Sequence, residues 1–170
     1  MRSSQLRRAA IAFILCAVAT SGYALSNLVN LSTRMRVENG DNVLIGGFIV
    51  TGSAPKNIIL RAIGQSLPVT GALADPVLEL HDASGAIVAS NDDWRATQQD
   101  AIIATGLAPA NDRDSALIAK VNPGNYTAVV RGANNGTGVA LVEVYDLDPT
   151  TAASRLGNLS TRGDVLTGET

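Results

Sequence analysis

The strongest constraint on this chain is a rhythm. From residue 28 onward, short apolar and β-branched runs alternate with clusters of Gly, Pro, Asn and Asp. The runs cover residues 28–33, 42–51, 57–63, 77–81, 86–90, 115–121, 125–131 and 139–147. Segments of this length and spacing are too short for packed helices and too regular for a disordered chain, so they predict an all-β fold, a β-sandwich or jelly roll of about eight strands. In 77–81, Leu78 and Leu80 alternate with Glu79 and His81, the pattern of a strand with one face on a core. Ala140, Val142 and Val144 alternate with Leu141, Glu143 and Tyr145 in the same way. The runs at 43–50 and 58–63 are apolar on both faces apart from Arg61 and the glycines, which predicts central strands. Gly46-Gly47 inside such a run predicts a bulge or a close backbone approach. Asp82-Ala83-Ser84-Gly85 and Asn122-Pro123-Gly124-Asn125 read as turns. One stretch breaks the alternation: residues 96–105, followed by Gly106, read as a short helix.

The N-terminus reads as an address. Arg2, Arg7 and Arg8 precede an apolar run over 9–19, with small residues Gly22 and Ala24 before a cleavage point, the order of a secretory signal peptide over residues 1–24. Eleven apolar residues are too few to span a bilayer core, which needs roughly twenty. Cleavage would remove three arginines and the only cysteine, Cys16, leaving ten basic against fifteen acidic residues. That is an acidic secreted or cell-surface domain, with no basic patch for nucleic acid and no membrane span after cleavage. One Cys and one His also exclude a disulfide framework and any Cys- or multi-His metal centre.

A motif occurs twice. Residues 28–41 and 156–169 share eight identities in fourteen positions without a gap, centred on Asn30-Leu31-Ser32-Thr33-Arg34 and Asn158-Leu159-Ser160-Thr161-Arg162. The first copy continues into NVLIGGFIV, while the second is followed only by Thr170. The expected layout is therefore a β-sandwich module over 25–148, then a linker and the start of a repeated module motif over 149–170. Residues 156–170 are the expected contact to other modules or to copies of the same chain, the alternative being that they fold back on their own domain as a ninth strand or fray in solvent.

These residues carry a resemblance. NLSTR, GDNVLIGGFIV, ILRAIGQSL, LADPVLELHDASGAIVASNDDW, NPGNYTAVVRG and VALVEVYDLD resemble modules found singly or in tandem in large secreted and surface proteins of environmental bacteria. Residues 75–130 are more distantly similar to bacterial pre-peptidase C-terminal domains, through a PxLxLxDxxGxxxxxNDD hairpin and a later PGxYTxxV strand. The resemblance implies a secreted β-sandwich accessory module without catalysis of its own.

The residues available for chemistry are few. Asn91, Asp92, Asp93, Asp112 and Asp114 form two acidic loops whose hard oxygen donors suit Ca²⁺, and relatives of the hairpin sometimes bind it; Asn and Asp also cap turns by local hydrogen bonds. Gly64-Gln65-Ser66-Leu67-Pro68 begins like a nucleophile elbow, but Pro68 stands where a glycine belongs and His81 is the one base on offer. Glu79 and His81 are too few for a metal site. Arg162-Gly163-Asp164 is incidental, since the first copy has Met35-Arg36 at the last two positions. Trp94 would suit a sugar platform if exposed and a core lid if buried. The expected function is a non-enzymatic secreted or cell-surface structural or adhesive module. Its alternatives are a calcium-stabilised accessory domain that binds a carbohydrate or protein, and, disfavoured, a secreted hydrolase.

Overall fold

The computed structural model describes residues 29–163. The predicted signal segment, residues 1–24, lies outside them. Nine strands and one α-helix follow in order: β1 (Asn30–Val37), β2 (Leu44–Gly52), β3 (Lys56–Ile63), β4 (Pro76–His81), β5 (Ile87–Asp92), α1 (Gln99–Ala104), β6 (Ser115–Val121), β7 (Gly124–Gly132), β8 (Gly138–Asp146) and β9 (Ser154–Arg162). They form two sheets, a four-stranded one in the order β1-β8-β3-β6 and a five-stranded one in the order β5-β4-β7-β2-β9. All named strand pairs are antiparallel. The all-β sandwich with one short helix is thus the observed fold.

The main core lies between the sheets. Leu44, Phe48 and Val50 of β2 meet Ile58, Leu60 and Ala62 of β3 there, with Leu78 and Leu80 of β4 and Ala140, Val142 and Val144 of β8. β2 and β3 are interior strands of their sheets, as their two-sided apolar patterns require. The reason differs on the two sides. The outer face of β3 carries Ile59, which joins Trp94, Ile102 and Ala116 in a second core beneath α1. Glu143 and Tyr145 of β8, which the alternation alone would send to solvent, lie on this covered face. Glu143 is buried and accepts from Arg61 Nε at 2.9 Å and from the Tyr145 hydroxyl at 2.9 Å, while Arg61 Nη1 donates to the Leu107 carbonyl at 2.8 Å.

Three local features refine the expectations. The helix spans six residues rather than ten: Gln98 is its N-cap, with its carbonyl accepting from Ile102 N at 2.9 Å, and its side chain is held on β6, where Nε2 donates to Ile118 O at 3.0 Å and Oε1 accepts from Ile118 N at 2.7 Å. The Gly46-Gly47 pair is a close approach and not a bulge. A Cβ on Gly47 would lie 2.5 Å from Ser160 Oγ, and one on Gly46 would lie 3.1 Å from Val142 Cγ1 across the core. The bulge sits opposite, in β9, where Asn158 adopts φ 56 between Gly157 and Leu159.

The third concerns the second motif copy, for which a ninth strand of the same domain is one of the two expectations. Ser154–Arg162 does not stand off the sandwich as a linker; it is β9, paired along its length with β2, and Leu156 is in the main core at 3 % exposure. The sheet therefore continues past residue 148. The first copy forms β1 at the edge of the other sheet, and the two edges are neighbours: a Cβ on Gly163 would lie 2.9 Å from Met35 Sδ. Residues 165, 168 and 169, where the repeat match ends, lie outside the described residues.

Candidate metal centre

The β4–β5 hairpin is closed by its own turn. Asp82 Oδ1 accepts from Ser84 N at 2.8 Å, Ser84 Oγ at 2.6 Å and Ala86 N at 3.1 Å, and Gly85 takes the left-handed φ of 84 that the turn needs. That turn sets the register in which Asp92 pairs with Val77 at the far end. The pairing brings Asp92 and the following Asp93 beside Asp75, which immediately precedes β4. Carboxylate oxygens of Asp75, Asp92 and Asp93 lie within 4.8 Å of one another. Asp93 is turned into the cluster by a left-handed backbone, φ 67, a conformation open to Asp at low cost. Asp75 Oδ2 accepts from Arg113 Nη1 at 3.1 Å, whereas Asp75 Oδ1 is buried with no hydrogen-bond donor among the described residues.

The five residues singled out in the sequence separate. Asp92 and Asp93 enter this cluster. Asn91 is buried and spent on the fold: its Oδ1 accepts from Ala116 N at 2.9 Å and its Nδ2 donates to Asp93 O at 3.2 Å. Asp114 is fully buried, accepting from Gly64 N at 2.8 Å and from the Ser66 hydroxyl, so it ties the β3–β4 connection to β6. Asp112 is ion-paired with Arg95, on the rim. Asp75 carries the third carboxylate and was not among the five. The pairing of Asp92 with Val77 carries Asp93 to the level of Pro76, one residue from Asp75, a proximity that shows only once the hairpin register is known.

Like charges at this spacing oppose one another. The Asp92 carboxyl is held above the usual carboxylate range, first by partial burial and then by the negative charges of Asp75 and Asp93. The folded state therefore takes up this proton more readily than the unfolded chain, and the ionised form destabilises the fold at neutral pH. In EDTA, the melting temperature should rise as pH is lowered from 7 through the raised Asp92 value, and the rise should be absent in Asp92→Asn. Asp82 and Asp148 move the other way, their carboxyls lying below the usual range, so their stabilisation is lost only at still lower pH. A melt series across pH checks the sign.

The other constellations resolve without chemistry among the described residues. Ser66 Oγ donates to Asp114 and accepts from Asn111 N at 3.0 Å. His81 is at the opposite end of β4, about 17 Å along the strand from Pro76, with Nδ1 3.0 Å from Gly85 O and Nε2 3.0 Å from Glu79 Oε2. The serine–histidine pair that a hydrolase would need is not brought together. Trp94 is buried, donates from Nε1 to Asn111 O at 3.1 Å and lies under the Arg95 guanidinium at 4.2 Å, so it closes the second core rather than offering a sugar platform.

Fold and site together define a two-sheet β-sandwich with a three-carboxylate candidate cation centre at one end. No protein-family model matches the chain, and no curated protein matches it. Among solved structures, the chain is similar to the pre-peptidase C-terminal domain of a collagenase from Bacillus anthracis, with a TM-score of 0.43 and 17% identity over 68% of this chain and 89% of that one. No helix among the described residues is long and apolar enough to cross a membrane.

Proposed function

We propose that this chain is a non-enzymatic structural or adhesive module of the cell exterior, stabilised by Ca²⁺ bound between Asp75, Asp92 and Asp93. The observation that carries the reading is the convergence of three carboxylates within 4.8 Å of one another, with Asp75 Oδ1 buried and without a donor among the described residues. A buried anionic oxygen without a donor is costly, and Arg113 compensates only the other oxygen of Asp75. A hard dication would satisfy that oxygen and cancel the mutual repulsion. Three carboxylates supply part of the six to eight oxygens Ca²⁺ takes, leaving the remainder to water and backbone carbonyls.

The signal-like order of residues 1–24 supports an exterior location, where calcium is plentiful and a chain whose only thiol is Cys16 loses nothing to oxidation. The sandwich itself supports a structural role: its largest polar networks, around Arg61, Lys56 and Asp114, are all spent on holding strands together. Thermal melts in millimolar Ca²⁺ and in EDTA test the reading. A cation at a hundredfold excess over its dissociation constant adds about 2.7 kcal/mol, or roughly 5–10 °C for a domain of this size. Asp92→Asn should remove the difference between the two melts. Superimposable melts of the unaltered chain would leave the acidic end as an ordinary solvated turn.

A further inference from the structure

Of the thirteen basic side chains in the sequence, only Lys56 and Lys120 are lysines. Lys120 is exposed, whereas Lys56 is fully buried. The sheet dictates where it goes. Ile58 of β3 pairs with Asp146 of β8, and both Ile58 and Val144 face the main core. Alternation therefore turns Lys56, two residues before Ile58, and Asp146, two residues after Val144, into the same space between the sheets. There Lys56 Nζ lies 2.7 Å from each Asp146 oxygen and 3.3 Å from Asp148 Oδ2.

Arginine is the usual cation of a buried ion pair, being weakly hydrated and permanently charged. Lysine differs in that its ammonium can give up a proton and become a nucleophile. A nitrogen equidistant from the two oxygens of a carboxyl group is about 3 Å from the carbon between them, inside the near-attack range. Asp148 is fixed beside this nitrogen by Asn57, whose backbone N–H donates to it at 3.0 Å and whose side-chain amide donates at 2.6 Å. The surroundings favour an uncharged product: the Lys56 side chain is wholly enclosed and that of Asp146 is 9% exposed, so the ionised pair bears a desolvation cost that an amide would not.

We propose that Lys56 and Asp146 join in an isopeptide bond, a covalent staple between the two inner strands β3 and β8 of the four-stranded sheet. The ion pair is the starting state. One ammonium proton passes from Nζ to Asp146 Oδ2, leaving a neutral amine against a neutral carboxylic acid. The nitrogen lone pair then attacks Cγ, forming the N–C bond and pushing the carbonyl pair onto Oδ1. Asp148 Oδ2 takes a second proton from nitrogen and delivers it to the Oδ2 hydroxyl, the C–O bond breaks, and one water leaves. The products are the amide, the water and the Asp148 carboxylate as it began, with no oxidant or reductant consumed. The bond would give the sandwich a cross-link that needs no cysteine. Whatever the removal of Lys56 costs the ionised pair, it costs the joined one more, because joined strands also restrict the unfolded chain. None of these residues belongs to the acidic cluster, so the inference is independent of the cation reading.

Mass spectrometry of the full chain, denatured and digested with trypsin, tests it. Trypsin does not cut after an acylated lysine, so residues 37–61 should stay in one piece and be found attached to residues 132–155, the pair lighter by one water than the two peptides together. Fragmentation should place the link between Lys56 and Asp146. The joined pair should account for most of the purified protein, and its share should fall at least about tenfold in Asp148→Asn, which keeps both reacting side chains. Recovery of residues 37–56 and 132–155 from the unaltered chain as separate peptides of full mass would overturn the proposal. An equal share of the joined pair in Asp148→Asn would overturn the role given to Asp148. The unaltered chain carries the decisive reading, so the result does not depend on how well a variant folds.

Discussion

Lys56→Met should destabilise the domain by about 3–5 kcal/mol, the usual result of removing one partner from a buried ion pair. Lys56 is fully buried at the start of β3, with Nζ 2.7 Å from both oxygens of Asp146 and 3.3 Å from Asp148 Oδ2. Asp148 is also held by Asn57, which donates its backbone N–H at 3.0 Å and its side-chain amide at 2.6 Å. Burial alone would push the Asp148 carboxyl up, but the Asn57 and Lys56 contacts outweigh it and hold it below the usual range. Without the lysine, Asp146 keeps, among the described residues, only the Asp148 N–H at 2.9 Å and becomes a nearly buried, unpaired charge. The double variant Lys56→Met/Asp146→Asn should recover part of the loss, because the stranded charge has gone. Denaturant titration of the two variants checks both statements.

Leu156→Ala should cost about 2–4 kcal/mol, as truncation of a buried leucine does where the cavity cannot fully collapse. Leu156 packs in the main core from an edge strand, and β9 supplies the whole of one edge of the five-stranded sheet. Leu159→Ala, in the half-exposed part of β9 beyond the bulge, should cost distinctly less. Equal losses would mean that β9 is held along its length by backbone pairing and not by its one buried anchor. Denaturant midpoints of the two variants decide between these.

The sandwich was legible because period-two alternation and turn chemistry are local signals, and β4 shows how far they reach. Leu78 and Leu80 are fully buried as their alternation requires, and the Asp82–Gly85 turn closes as its residues dictate. What was not legible is what covers an outer face. Glu143 alternates like a solvent residue and is buried because α1 and the segment around Leu107 fold over the four-stranded sheet, an event no local pattern records. The same limit applies at the acidic end. Asn91, Asp92, Asp93, Asp112 and Asp114 look alike as sequence, yet the hairpin register sends two of them to Asp75 and packing consumes Asn91 and Asp114. The sequence leaves β9 open between the start of a further module and a ninth strand, because its repeat in β1 opens the domain. An identical pentapeptide can open one sheet and close the other, since an edge strand needs only one partner and one inward leucine.

Calcium titration by isothermal calorimetry, on the unaltered chain and on Asp75→Asn, tests the cation centre most directly. Asp75 is the discriminating position, because its Oδ1 is the buried oxygen without a donor while its Oδ2 is already served by Arg113. One Ca²⁺ per chain should bind the unaltered protein, and binding should be lost or weakened at least about tenfold in Asp75→Asn, the worth of one charged ligand at roughly 1.4 kcal/mol or more. Absence of saturable binding to the unaltered chain, or equal binding to both, would contradict a calcium centre at Asp75, Asp92 and Asp93.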